Sequence, residues 1–455
     1  MDERPAGNDQ QTQQIRQTRT VTRRHLLKLS AAGALGVGAA SLLGASGASA
    51  ANETVLAAPL LQASKITFLV NSGDGDRIRN VSAAYTASTG TTIEVLELPY
   101  DQSFQKLQIA LSQKTDAYDL ASLDDPWIPQ FAGNKFLVNL DDMYAKAGTQ
   151  PSSDFQPQLF GLGDWPKGSG LRALPWLGNV QVFAWRNDLI DNRPNTWDEV
   201  VTTAQQIQSG PTGVFGYAIR GAAGNPATTS FLPITRGYGK DVLGPTFEPQ
   251  LNTPEARSAL QTALKLRDTA PPGAENVQHA DVGRFMYTGA TAMSGDIWPD
   301  QLLNMFDPAV SSVVGRISIG PEPSQAGVQP ANMTGTWLLG IPEGSKNKDR
   351  AFDYMVWFTQ LDQQKKLLMQ FNNPPVLVPL FNDPEAVAKF PFLPGLLDAA
   401  GQAVPRPRTQ FYSGVEDIIG RYLSQAIAGQ VEPDQGLEQA DTEVRDFLVR
   451  NGAIA

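Results

Sequence analysis

Apolar and polar positions alternate along this chain in blocks that change period, and the changes mark its elements. Lys65-Ile66-Thr67-Phe68-Leu69-Val70 reads as a strand, and Asn71 to Asp76 as a polar loop. From Asp76 to Ser88 the apolar residues Ile78, Val81, Ala84 and Tyr85 recur at helical spacing, with Gly90 as the stop. Thr92 to Leu98 alternates as a strand, Phe104 to Leu111 returns to helical spacing, and Tyr118 to Leu123 is a third strand. Strand–helix–strand units of this length demand right-handed crossovers and a parallel sheet. Ligands of such sheets bind beyond the carboxyl ends of the strands. The loops Ser72 to Asp76 and Asp124-Asp125-Pro126-Trp127 fall there.

A second set of elements follows. Leu174 to Asn179 reads as a bend leading into an apolar strand, Val180 to Trp185. Thr196-Trp197-Asp198-Glu199 is a capping box, which starts a helix running to about Gln208. Val214 to Ile219 is strand-like, and Thr253-Pro254-Glu255 opens another helix with proline at its first position. Ala290 to Met293 and Thr336 to Ile341 read as strands, Lys348 to Gln360 as a helix, and two more helices, split near Pro433, fill the C-terminus.

The N-terminal fifty residues break this pattern. Arg23-Arg24-His25-Leu26-Leu27-Lys28 matches the twin-arginine export address. Leu29 to Leu43 holds only Ala, Gly, Leu and Val apart from Ser30 and Ser41, too short and Gly-rich for a stable membrane span. Ala48-Ser49-Ala50 offers a small-residue cleavage site. A signal peptide over 1–50 and a linker over 51–64 are therefore expected, the alternative being an uncleaved anchor. The 405 residues that remain of 455 suffice for two ordinary domains.

Composition then removes functions. With no cysteine there is no disulfide, thiol nucleophile, zinc-thiolate site or lipid-modified cysteine. His279 is the one histidine outside the signal segment, too few for a multi-histidine metal site. No cofactor is expected, and the oxygen-rich Asn71–Asp76 loop lacks the downstream glutamate of a calcium-binding EF-hand. The net charge of −10 becomes −13 without the six basic and three acidic residues of the signal, so nucleic acid is not an expected partner.

Several stretches together resemble the extracellular solute-binding protein family 1 of ABC importers, which includes the maltose-binding proteins. They are Tyr118-Asp119-Leu120 through Asp125-Pro126-Trp127 to Leu140-Asp141-Asp142; Ala173-Leu174-Pro175-Trp176 followed by Trp185-Arg186-Asn187-Asp188-Leu189; Pro194 to Glu199; Ala290 to Met293 before Trp298; and Gly335-Thr336-Trp337 before Ile341-Pro342 and Ser345 to Lys348. The resemblance runs from about Lys65 to Phe447. It implies an α/β fold of two lobes, each a mainly parallel sheet flanked by helices, with the ligand cleft between them. The first lobe would take 65–175 plus 291–340 and the second 176–290 plus 341–455. It further implies a monomeric, periplasmic or extracellular carrier that hands a carbohydrate, a mono- or oligosaccharide, to membrane permease subunits by hinge closure, and that is not an enzyme.

Sugars offer an apolar C–H face to aromatic rings and a hydroxyl rim to carboxylates, amides and guanidinium groups. On that chemistry Asp124, Asp125 and Trp127 are candidates, against a plain Asp-Asp-Pro turn. Asp296, Trp298 and Trp337 are candidates near the segments linking the lobes, with core packing as the alternative. Trp176 and Asn179 flank the first crossing, as hinge packing or as ligand contacts. Asp74 and Asp76 end the first strand, Asp76 doubling as a helix N-cap. Arg408 and Tyr412 lie in a segment that in the family reaches the cleft, and Phe231 is a further lining candidate. An exported carboxylate-dependent glycoside hydrolase, or a binding protein serving a sensor, are the competing functions.

Overall fold

The computed structural model describes residues 64–455; the signal-peptide expectation lies outside them. Eleven strands are present among these residues: β1 (Ser64–Asn71), β2 (Thr91–Leu98), β3 (Leu120–Asp124), β4 (Ala173–Leu177), β5 (Val182–Arg186), β6 (Phe215–Tyr217), β7 (Thr291–Ile297), β8 (Ile317–Gly320), β9 (Asn332–Met333), β10 (Trp337–Gly340) and β11 (Ala403–Val404). They form a five-stranded sheet in the order β2-β1-β3-β10-β4, a four-stranded sheet in the order β6-β7-β5-β8, and the small pair β11-β9. Helices flank both larger sheets, which makes two α/β lobes.

The first three strands pair in parallel, as their strand–helix–strand spacing requires. One strand in each large sheet runs against its neighbours: β10 pairs antiparallel with β3 and β4, and β5 pairs antiparallel with β7 and β8. Both follow a passage from the other lobe. A chain that enters a sheet from the cleft side must run opposite to strands that end at the cleft, so the reversed strands mark the crossings.

The two crossings lie side by side. Gly335 N donates to Asn179 O at 2.8 Å and Gln181 N to Met333 O at 2.8 Å. A third passage leans on them, with Gly178 N donating to Pro374 O and Asn373 Nδ2 to Trp176 O, both at 3.0 Å.

The lobe boundaries differ from the expected ones. β7 sits at the centre of the second sheet and β8 at its edge, so of residues 291–340 only β10 joins the first sheet. Conversely, helices Lys348–Phe358 and Leu361–Phe371, expected in the second lobe, belong to the core of the first: Tyr354 packs edge-on to Tyr85 at 5.1 Å and Phe68 at 6.2 Å. An apolar run announces a buried strand or helix but not which of two similar cores will bury it. Leu174 to Asn179, expected as a bend, holds all but the first residue of β4, and the whole strand is buried. Helices Asn225–Gly237, Leu361–Phe371 and Leu393–Gly401 were not legible in the periodicity; the first carries Pro233 and is buried along most of its length, so it shows no polar face.

Candidate functional site

Both sheets end at the cleft. From the first come Asn71, the last residue of β1, and Asp124, the last of β3. Trp337 opens β10 directly across from Asp124 in the antiparallel register, so the two side chains share one end of the sheet. From the second come Trp298, just beyond β7, and Arg220, three residues beyond β6. These side chains, with Tyr100, Asn179, Asn225, Thr229, His279, Gly335 and Arg406, line a cavity of about 410 Å³. A wider surface groove between helices Tyr412–Ile427 and Pro433–Arg450 is lined by residues of that lobe alone, so lobe closure has nothing there to close upon.

The aromatic walls are held from behind. Trp337 packs edge-on to Trp127 at 5.6 Å and to Tyr100 at 6.0 Å, and Trp127 is itself buried against Tyr100, Phe104 and Phe131. On the opposite wall the Trp298 indole N–H donates to Asp296 Oδ1 at 2.7 Å, and its backbone N–H donates to Gln301 Oε1 at 2.8 Å. Gly335 sits close against that indole: a Cβ there would stand 2.8 Å from Trp298 Cζ3, so a side chain would force the ring to shift.

The charges of the site are spent on one another. Arg406 donates through Nη2 to Asp124 Oδ1 at 2.9 Å and to Asp125 Oδ1 at 3.2 Å, with Glu416 at 4.0 Å. The Tyr100 hydroxyl donates to Asp124 Oδ2 at 2.8 Å, and Thr334 Oγ1 to Asp125 Oδ2 at 3.1 Å. Burial pushes the Asp125 carboxyl up to about 7 against the pull of Arg406, with Asp124 adding to the rise. Burial raises Glu416 as well. Burial opposes the charge of Arg406, yet the three carboxylates together hold it firmly protonated.

On the second lobe Arg220 donates to Thr229 Oγ1 at 3.0 Å and Asn225 Oδ1 at 2.9 Å, and stands 3.6 Å from Asp296. Asp296 also accepts from Gln181 Nε2 at 3.0 Å and Ser230 Oγ at 2.8 Å. Beside these paired ions the lining is neutral: the indole and phenol rings and the Asn71 and Asn179 amides, the Asn71 amide oxygen being buried without a protein partner. Such a wall offers ring faces and hydrogen-bonding groups, with its ions already paired.

Of the residues expected at the site, Asp124, Asn179, Trp298 and Trp337 line the cavity. Asp125 and Asp296 stand behind the wall as partners of Arg406, Arg220 and Trp298. The others are corrections. Trp127 is core behind Trp337. Trp176 is wholly buried, its N–H donating to Ser122 Oγ at 2.9 Å and its ring against Phe358. Tyr412 and Phe231 are buried in the second-lobe core. Arg408 donates to Leu162 O at 2.8 Å and lies over Trp165 at 5.4 Å, outside the cavity. Asp74 is paired with Arg77, its carboxyl raised by burial, and Asp76 points to solvent with 97% of its side chain exposed. Asn71, Tyr100, Arg220, Asn225, Thr229, His279, Gly335 and Arg406 also line the cavity and were not expected there. Pro405-Arg406-Pro407-Arg408 held the signal for Arg406, but which arginine turns to the cleft is set by packing.

Comparison with known proteins places this geometry. Residues 73–365 match the family model described as bacterial extracellular solute-binding protein. The chain belongs to the bacterial extracellular solute-binding protein family. A curated member from Sinorhizobium fredii, named as a probable amino-acid ABC transporter periplasmic-binding protein, is 24% identical, the match covering 86% of this chain and 90% of that one. An ABC transporter solute-binding protein of Agrobacterium radiobacter, solved with ribitol, superposes with a TM-score of 0.77 at 26% identity over 84% of this chain and 98% of that one. A maltose-bound protein of T. maritima superposes with a TM-score of 0.74 at 25% identity over 85% of this chain and all of that one. The solute-binding family thus accounts for the two lobes and for a ligand cavity between them.

Proposed function

We propose that this member of the family is the exported receptor of an ABC importer, carrying a carbohydrate or polyol to membrane permease subunits. It works as a monomer, without a cofactor and without catalysing a reaction, and the twin-arginine segment is its export address. One observation carries this proposal: a cavity between the lobes with indole faces on both sides and ionic groups already paired among themselves. Rings meet the C–H face of a sugar, and the amides and the edges of the paired ions meet its hydroxyls. Closure follows because Trp337 and Trp298 stand on different lobes, so a solute touching both favours the closed form. The names of the ribitol- and maltose-bound neighbours agree with this class of solute.

The competing hydrolase reading loses its catalytic pair. Asp124 and Asp125 both face Arg406 rather than an open position between them, and a glycosidase needs two carboxyl groups flanking the scissile bond. A thermal-shift screen against ribitol, mannitol, glucose, maltose and free amino acids tests the proposal. A solute bound only by the folded chain adds about 2.7 kcal/mol at a hundredfold excess over Kd, raising the midpoint by a few degrees. Stabilisation by amino acids alone overturns the carbohydrate assignment, and release of reducing ends from maltose overturns the receptor assignment.

A further inference from the structure

Residues 405–411 form a strap that leaves the second lobe, touches the first and returns. Its start is fixed to the second lobe: Arg236, on helix Asn225–Gly237, donates to Val404 O at 3.1 Å and to Pro405 O at 2.8 Å. Its end runs into helix Tyr412–Ile427, whose Val415, Ile419 and Leu423 are second-lobe core. Between these anchors it meets the first lobe three times. Arg406 grips Asp124 and Asp125, Arg408 bonds Leu162 O, and Gln410 Oε1 accepts from Asn134 Nδ2 at 3.4 Å.

Arg406 is the centre of this contact. It is fully buried, and its carboxylate partners come from both lobes: Asp124 and Asp125 at the end of β3, Glu416 on the helix that follows the strap. Each end of the cluster reaches a cavity wall. Asp124 accepts from Tyr100 on the first lobe. Glu416 accepts from Asn225 Nδ2 at 3.0 Å, Asn225 Oδ1 accepts from Arg220, and Arg220 faces the Asp296 that holds the Trp298 indole. A connected polar chain therefore runs from Tyr100 to Trp298 across the cleft without any solute.

We propose that Arg406 is a positioning residue that holds the two lobes together before solute arrives, so that the cavity walls are already set by the chain's own ion cluster. A solute can shift an open–closed equilibrium only by its differential affinity for the two forms. Any closing contact supplied by the protein lowers what the solute must supply, and raises apparent affinity through the larger population of the competent form. Any opening that carries the strap away from β3 would part a buried guanidinium from the first-lobe carboxylates. Removing one member of such a cluster, rather than replacing the whole, leaves charges buried and uncompensated. This rests on the two-lobed fold and the strap, not on the solute being a carbohydrate.

The test needs no solute. The full chain, stripped of carried-over ligand by guanidinium unfolding and dialysis, is compared by small-angle X-ray scattering with Arg406→Ala, Arg406→Lys and Asp124→Asn at pH 8, each checked by circular dichroism. The ligand-free parent has a smaller radius of gyration than Arg406→Ala and Asp124→Asn, and Arg406→Lys falls between, because an ammonium keeps the charge but cannot set one nitrogen against both aspartates and a second toward Glu416. A parent as extended as Arg406→Ala, or an Arg406→Ala as compact as the parent, overturns the proposal. If Arg406→Ala does not fold, Asp124→Asn decides alone, and unchanged scattering overturns it. A carbohydrate screen that fails while the scattering result holds would count against the solute class only.

Discussion

Trp127 and Trp337 touch each other, yet one faces the protein core and the other the cavity. Trp127 has aromatic neighbours on Tyr100, Phe104 and Phe131 and is buried, while Trp337 begins β10 and keeps part of its ring on the cavity. Their truncations should therefore separate. Trp127→Ala removes a filled core volume and should cost about 3–5 kcal/mol of unfolding free energy in urea titrations. Trp337→Ala should cost less of that stability, since part of its ring is open to the cavity, but should weaken solute binding by about 2 kcal/mol, roughly thirtyfold in Kd by calorimetry. The reverse ordering would assign the cavity face to the wrong indole. That assignment was not legible in the sequence: Asp124-Asp125-Pro126-Trp127 lies at the correct strand end, but the 3-10 turn Asp125–Trp127 swings the indole under the sheet. The same turn puts both aspartates within reach of Arg406, some 280 positions away in the chain. Local spacing carries no record of such a partner.

Elements whose ends are fixed by local chemistry were the legible ones. Thr196 Oγ1 accepts from Glu199 N at 3.2 Å, and Glu199 Oε2 accepts from Thr196 N at 3.2 Å and Asn195 N at 2.7 Å, closing the reciprocal box read from four residues. Helix Trp197–Ser209 follows and buries Trp197, Val200, Val201 and Ala204. Thr196→Ala should lower unfolding free energy by about 1 kcal/mol, and Thr196→Ser should restore it. A Thr196→Ala chain with an unchanged urea midpoint would show that packing alone holds this helix. Helix Gly75–Thr89 likewise ends where glycine was expected to end it, with Gly90 in the left-handed region at φ 72°. By contrast, helix Asn225–Gly237 supplies the cavity with Asn225 and Thr229 yet carries a proline and almost no exposed face, so neither period nor propensity declared it. Strand β7 was legible as a strand and misplaced by lobe, since its residues are buried on both faces in either sheet.

At the scale of the whole molecule, the buried acids set how stability follows pH. Asp125 is raised to about 7, and Glu416 and Glu322 are raised as well, burial being the first cause in each. Glu322 is wholly buried beside Gly295 and Tyr217, and neither of its oxygens has a hydrogen-bond partner. For each of these groups the folded chain holds a proton more tightly than the unfolded chain does. Their contribution to stability is therefore complete below the ordinary carboxylate range and is lost as pH rises through the folded value, which for Asp125 means between the usual 3.8 and about 7. Carboxylates held low by cation partners, such as Asp188 bonded to Arg186 and Glu443 bonded to Arg421, act in the opposite sense, but only as pH falls below that range. Between pH 5.5 and pH 8.5 the buried acids should dominate, so the ligand-free chain should melt at a higher temperature at pH 5.5. Asp125→Asn should flatten the slope because the amide has nothing to ionise, and Glu322→Gln should raise the melting temperature at pH 8.5 more than at pH 5.5. A midpoint that climbs steadily from pH 5.5 to pH 8.5 would mean these carboxyls ionise without penalty. The cluster around Arg406 would then have to be far better solvated than its burial indicates.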